Sequence, residues 1–162
     1  MLLEGSCHCG AVRFQVDESS TPYPYQACYC STCCKTAGGG GYAINLGADA
    51  NTLEIEGKEN LSVYNAKLYD RGESGEAPAS EAERNFCRFC GSFLWLYDLR
   101  WPDLIHPFAS AIDTPLPKPP EHVRLMLNYA PTWCEIPTGE GESHFPEYPE
   151  ESLAEWHRRH GL

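Results

Sequence analysis

Cys7-His8-Cys9-Gly10-Ala11-Val12-Arg13-Phe14-Gln15-Val16 joins two signals whose combination sets the fold. In its second half Val12, Phe14 and Val16 share one face opposite Arg13 and Gln15, the two-residue period of a strand with one buried side. Its first half places two thiols two positions apart and follows them with a glycine. Sulfurs that close can turn onto one soft cation, whereas a disulfide between them would be strained. The segment therefore reads as a strand tied to a metal knuckle, and such a knuckle needs a second half elsewhere in the chain.

Two further clusters supply candidates: Cys28-Tyr29-Cys30-Ser31-Thr32-Cys33 and Cys87-Arg88-Phe89-Cys90. Seven of the nine cysteines lie in the three clusters. A closed structural zinc takes four protein ligands and a catalytic zinc usually takes three, so seven sulfurs divide into four plus three. Gly10 and Gly91 each follow a cysteine and permit the positive-φ turn that brings backbone N–H groups toward bound sulfur. On that ground Cys7, Cys9, Cys87 and Cys90 form the closed site, and Cys28, Cys30 and Cys33 the open one. Loss of the closed metal should then unfold much of the chain. A rival pairing, with Cys28 and Cys30 completing the four, stays open at this point, as does closure of the middle site by Cys34. Two zinc ions per chain are expected, with the three-cysteine site the more easily emptied. Cys134 reads as a buried apolar residue.

Further alternating runs extend the β reading. Tyr42, Ile44 and Leu46 share a face, Leu53 and Ile55 alternate with Glu54 and Glu56, and Val123, Leu125 and Leu127 alternate again. Phe93-Leu94-Trp95-Leu96-Tyr97 is a continuous apolar run, as in a strand buried on both faces. Helix signal is clear only at the end: Ser152 caps Leu153-Ala154-Glu155-Trp156 with Glu155 three residues on, and Gly161 stops it. The fold class is mainly β, with antiparallel sheets and a short C-terminal helix over 151–162, in one domain spanning 1–162. Residues 70–83, rich in Gly, Glu, Ser and Ala, read as a solvated loop insertion, and the prolines between Leu99 and Glu121 predict a stiff wrapping segment without ladders.

Lys and Arg total 12 against 23 Asp and Glu, a formal net charge of -11. Such a surface repels nucleic-acid backbones and anionic membranes, so neither is an expected partner. The start Met1-Leu2-Leu3-Glu4-Gly5 has no signal-peptide pattern, and thiols that hold metal must stay reduced; a cytoplasmic location is expected. Oligomeric state is not legible.

Gly5-Ser6-Cys7-His8-Cys9-Gly10-Ala11-Val12, the middle Cys-x-Cys-x-x-Cys with Lys35 after it, and Phe86-Cys87-Arg88-Phe89-Cys90-Gly91-Ser92 together resemble the glutathione-dependent formaldehyde-activating enzyme family, which includes centromere protein V. The resemblance runs from about Gly5 through Trp133. It implies coiled antiparallel β-sheets similar to those of methionine sulfoxide reductase B. It also implies a structural zinc on Cys7, Cys9, Cys87 and Cys90 and a catalytic zinc on Cys28, Cys30 and Cys33. The activity implied is that of a carbon–sulfur lyase acting on glutathione, or another small thiol, and its formaldehyde adduct. A zinc-stabilised module that binds a protein partner and catalyses nothing is the alternative, and thiol redox chemistry at Cys34 or Cys134 a third. Among other residues, His8 should point away from its neighbours' metal. His106 and His122 are candidates for acid–base work, Arg84 for attracting a carboxylate, and Gly38-Gly39-Gly40-Gly41 for a close backbone approach, each set against an ordinary structural role.

Overall fold

The computed structural model describes residues 1–17, 22–37, 39–68 and 77–162. In chain order the strands are β1 (Leu2–Ser6), β2 (Arg13–Asp17), β3 (Tyr25–Cys28), β4 (Ala43–Asn45), β5 (Ala48–Asp49), β6 (Glu54–Glu56), β7 (Leu61–Lys67), β8 (Ala79–Cys87), β9 (Phe93–Tyr97), β10 (Leu104–Pro107), β11 (His122–Leu125) and β12 (Glu142–His144). Helix α1 (Ser31–Thr36) follows β3, and helix α2 (Leu153–His160) comes last. The strands form three sheets ordered β1-β2-β6, β5-β10-β9-β8-β7 and β12-β11-β3-β4.

The mainly β expectation holds, with one difference of pairing. The first two sheets are antiparallel, whereas β11 runs parallel to both β3 and β12. Parallel neighbours need a long connection, and the chain between Cys28 and His122 supplies one.

Two apolar clusters hold the sheets together. One gathers Leu3, Val12, Phe14 and Val16 with Leu94, Trp95 and Ile105, so the alternating face read from the first strands lands on the continuous run of β9. Phe14 meets Trp95 edge to face at 5.0 Å. A side chain at Gly5 would overlap the Phe14 ring and the Ala111 carbonyl, which is why glycine stands there. The other cluster joins Cys28, Cys33, Phe108, Val123, Leu125 and Trp156, and so docks α2 beneath the middle cysteines. Helix α2 carries the expected capping box between Ser152 and Glu155, and Gly161 ends it at a left-handed φ of 71°.

Three expectations change. Strand β8 begins at Ala79, inside the loop expected over 70–83, because Ala79 pairs with Lys67 and the ladder continues to Cys87; residues 70–76 lie outside the described residues. The proline-rich stretch does contain a ladder: β10 pairs with β9 and ends on Pro107, whose carbonyl still accepts from Leu46 N. The alternation through Val123 and Leu125 does not reach Leu127, since Met126 takes a left-handed φ of 61° and breaks the strand. The short helix α1 went unread.

Arg124, 6% exposed, ties the mixed sheet together. Its guanidinium grips both Glu142 carboxylate oxygens, at 2.5 and 3.2 Å, and donates to the Tyr29 hydroxyl at 2.9 Å. Tyr29 stands between Cys28 and Cys30, so this buried ion pair also sets the path of the middle cysteine turn. Removing one partner of such a pair leaves an uncompensated buried charge. Arg124→Ala is therefore expected to lower unfolding stability by about 3–5 kcal/mol, read as a fall in the urea midpoint with an unchanged slope.

Candidate active site and metal centres

Strand β1 delivers Cys7, and strand β8 ends on Cys87. After each the chain makes the same turn: Gly10 N donates to Cys7 O at 2.9 Å and Gly91 N to Cys87 O at 2.8 Å, with φ of 75° and 73° at the two glycines. The ladders then resume, Cys7 N to Val12 O and Cys87 N to Ser92 O, both at 3.0 Å. These matched turns bring the sulfurs of Cys7, Cys9, Cys87 and Cys90 within 4.8 Å of one another. Cys9 Sγ lies 3.6 Å from Cys7 Sγ and 3.7 Å from Cys87 Sγ. Tetrahedral zinc at its usual sulfur bond length sets ligand sulfurs about 3.8 Å apart, so the donor set and its spacing fit that ion. Val12 N donates to Cys7 Sγ at 3.3 Å, and the Ser92 hydroxyl, 3.2 Å from Cys90 Sγ, leads the influences that draw that thiol down to about 5.

The middle cluster is built differently. Cys28 is the last residue of β3, held between Leu125 of β11 and Ala43 of β4. Cys30 caps helix α1, its sulfur accepting from Cys33 N at 3.3 Å, and the helical turn carries Cys33 back toward it. The three sulfurs lie within 4.8 Å of one another. Three thiolates that close repel each other, and the thiols divide the cost. Cys30 is drawn down to about 2 by the sulfurs of Cys28 and Cys33. Cys28 is held well above its ordinary value by Cys30, then Cys33, then burial. Cys33, despite donation from Cys28, is pushed up to about 11 by Cys30 and burial. Only a soft cation would let all three ionise together, and this donor set fits one.

Cys34 is not among these sulfurs. One helical position on from Cys33, it turns about 100° away and lines a separate cavity of about 710 Å³ beside Cys7 and His8. His8 is exposed and outside the four-sulfur cluster, as expected.

The trio lines a cavity of about 480 Å³. Arg84 from β8, His106 from β10 and Asn45 from β4 line it too, with Asp98, Arg100 and Trp101 from the turn after β9. Asp98 is gripped by Arg100 through Nε at 3.0 Å and Nη2 at 2.6 Å, which holds its carboxyl below the usual carboxylate range. His106 Nδ1 lies 3.0 Å from Leu46 O. A carbonyl can only accept, so Nδ1 carries the proton and Nε2 keeps a lone pair. Burial lowers the pKa of this imidazole.

Other candidates fall elsewhere. His122 begins β11 opposite Tyr25 and Glu142 and does not line the cavity. Gly40 and Gly41 pack against Cys134, whose thiol donates to Gly40 O at 3.1 Å, so Cys134 is half-buried and hydrogen-bonded rather than apolar; Gly38 lies outside the described residues. Asn45, Asp98, Arg100 and Trp101 carried no signal of their own in the sequence beyond opposite charges two residues apart in Asp98-Leu99-Arg100.

With both clusters loaded, Cys87→Ser is expected to lose one equivalent of zinc and about 10 °C or more of thermal stability, whereas Cys33→Ser loses the other equivalent with little change in melting. Elemental analysis beside thermal unfolding checks both.

Comparison with known proteins agrees with these motifs. The family model described as "Glutathione-dependent formaldehyde-activating enzyme" matches residues 2–125, stopping short of Trp133. A Halomonas elongata protein, provisionally named a glutathione-dependent formaldehyde-activating enzyme, is 57% identical over 162 residues, covering 100% of this chain and 98% of the relative. The crystal structure of a Rhodobacter sphaeroides protein superposes with a TM-score of 0.55 at 24% identity, over 75% of this chain and 97% of that one, a likeness of fold.

Proposed function

Because the chain belongs to the glutathione-dependent formaldehyde-activating enzyme family, we propose that it is a zinc-dependent carbon–sulfur lyase acting on glutathione or a similar small thiol and on its formaldehyde adduct. The observation that carries this reading is the inequality of the two sulfur clusters. Four sulfurs can close around a metal, whereas the three of Cys28, Cys30 and Cys33 face a cavity with room for a small molecule. Closure by Cys34, which a purely binding module would favour, is opposed by that residue's place on the other cavity.

Zinc held by this trio supplies a Lewis-acidic position that lowers a thiol's pKa; three thiolate ligands favour soft sulfur there over ionised water. The remaining work falls to the chain. The substrate thiol gives up its proton, for which His106 Nε2 is the acceptor on the cavity wall. The sulfur then adds to the formaldehyde carbon: a carbon–sulfur bond forms, the carbonyl π pair moves to oxygen, and that oxygen takes the proton to give the S-hydroxymethyl product. The reverse breaks the same bond. Asp98, held by Arg100, lies near His106 and favours its charged form as the proton arrives. Nine free cysteines suit a reducing compartment, and we place the protein in the cytoplasm. Among the described residues no helix is long and apolar enough to cross a membrane.

Thiols add to formaldehyde unaided, so the test compares rates of adduct formation and cleavage with no protein, with the zinc-loaded protein and with Cys30→Ala. Acceleration by the wild type alone supports the lyase; identical rates in all three remove it. His106→Gln is expected to lower kcat/KM by about a hundredfold or more. Because burial depresses the His106 pKa, the wild-type acid limb should lie below about pH 6.5, and the variant should lose that limb.

A further inference from the structure

The cavity of the cysteine trio is graded from inside to outside. Cys28 and Cys33 are buried in its wall, whereas Trp101 is 53% exposed, Tyr129 41% and Tyr148 65%. The sulfurs thus lie deep, and three solvent-reachable aromatic side chains stand at the mouth. One exposed aromatic is ordinary on a protein surface, but three from separate chain segments brought to one cavity make a patch of the kind that marks a binding site. None of the three belongs to either apolar core cluster, so packing of the fold does not account for them.

The segments that carry these side chains are fixed. The buried carboxylate of Asp98 grips Arg100, whose guanidinium lies 4.8 Å from the centre of the Trp101 ring and covers one face of it. Tyr129 and Tyr148 come from two segments laced together: Met126 N donates to Glu147 O at 3.0 Å, Leu127 N to Phe145 O at 3.2 Å and Asn128 N to Pro146 O at 3.1 Å. Such a mouth loses little freedom when a ligand stacks on it. Charge favours neither sign of ligand there, since Asp98 and Arg100 neutralise each other and the exposed Lys67 and Glu81 have opposite signs. A cavity of about 480 Å³ suits a small molecule rather than a protein segment. The family model matches residues 2–125, which include the trio and Trp101 but neither tyrosine.

We propose that Trp101, Tyr129 and Tyr148 form an aromatic seat for the part of the substrate beyond its sulfur, and so select thiols that carry a flat apolar group. The seat rests on the thiol-site reading above for what holds the sulfur. Calorimetric titration of the zinc-loaded full chain with N-acetylcysteine, N-benzoylcysteine and N-cyclohexanecarbonylcysteine tests it, because the three share a thiol, an amide and a carboxylate and differ in the attached group. Wild type is expected to bind the benzoyl thiol about tenfold more tightly than the acetyl one and about threefold more tightly than the cyclohexanecarbonyl one. In Trp101→Leu/Tyr148→Leu the benzoyl and cyclohexanecarbonyl thiols should bind equally. Equal affinity of wild type for the acetyl and benzoyl thiols, as expected of a mouth that seats a macromolecule, overturns the seat. A cyclohexanecarbonyl thiol bound as tightly as the benzoyl one, or a ring preference that survives in the double variant, overturns it too. The S-methyl forms keep the two ideas apart: thiols bound more tightly than their S-methyl forms leave the sulfur site standing whatever becomes of the seat. S-methyl forms bound as tightly as the thiols count against sulfur binding, while a preference for the benzoyl group still supports the seat. Zinc content and melting temperature check folding, and Trp101→Leu alone, which should at least halve the ring preference, carries the comparison if the double variant fails to fold.

Discussion

The convergence of Cys7 and Cys9 with Cys87 and Cys90 is the constraint on which the rest depends. Sulfurs 78 positions apart lie 3.7 Å from each other, across the end of the first sheet and the end of the second. Four thiols so close repel once ionised, and a shared soft cation would turn that repulsion into a crosslink between distant strands. With β1 and β8 pinned at one end, Val12, Phe14 and Val16 must face the apolar run of β9, and the first core cluster forms behind the cysteine turns.

Strand β8 carries this constraint into the cavity. It ends on Cys87 in one sulfur cluster and, three residues earlier, presents Arg84 to the other. The middle cysteines depend in turn on the mixed sheet, where Cys28 is fixed between β11 and β4 and the Arg124–Glu142–Tyr29 network holds the next residue of the turn. The two cysteine clusters are thus parts of one scaffold although their sulfurs are separate. An overall negative charge coexists with a cavity wall that carries Lys67, Arg84 and Arg100 beside Glu81 and Asp98, so the charge at the cavity is more balanced than that of the chain as a whole.

Much of the site was legible because thiol spacing is a short-range property. Residues two or three apart can share a cation whatever surrounds them, and the glycine after Cys9 or Cys90 marks a left-handed turn that a side chain would strain. The alternation of Phe14 and Val16 in β2 and the Ser152 capping box are likewise local, and both match the structure. Helix α1 was hidden because its cap is a cysteine sulfur, outside the usual set of oxygen-bearing caps. Strand β10 was hidden because Pro107 reads as a ladder breaker, although a proline at a strand's end still offers its carbonyl.

By itself the sequence determined the β-rich class and three sulfur clusters whose donors suit a soft metal, since each follows from residues near one another along the chain. Only the tertiary structure decided which clusters meet, that Cys34 faces a different cavity from Cys33, and that Arg84, Asn45 and His106 surround the trio. Those relations join strands far apart in the chain, and they are set by sheet register and by which apolar faces pack together, neither of which is written in any single segment.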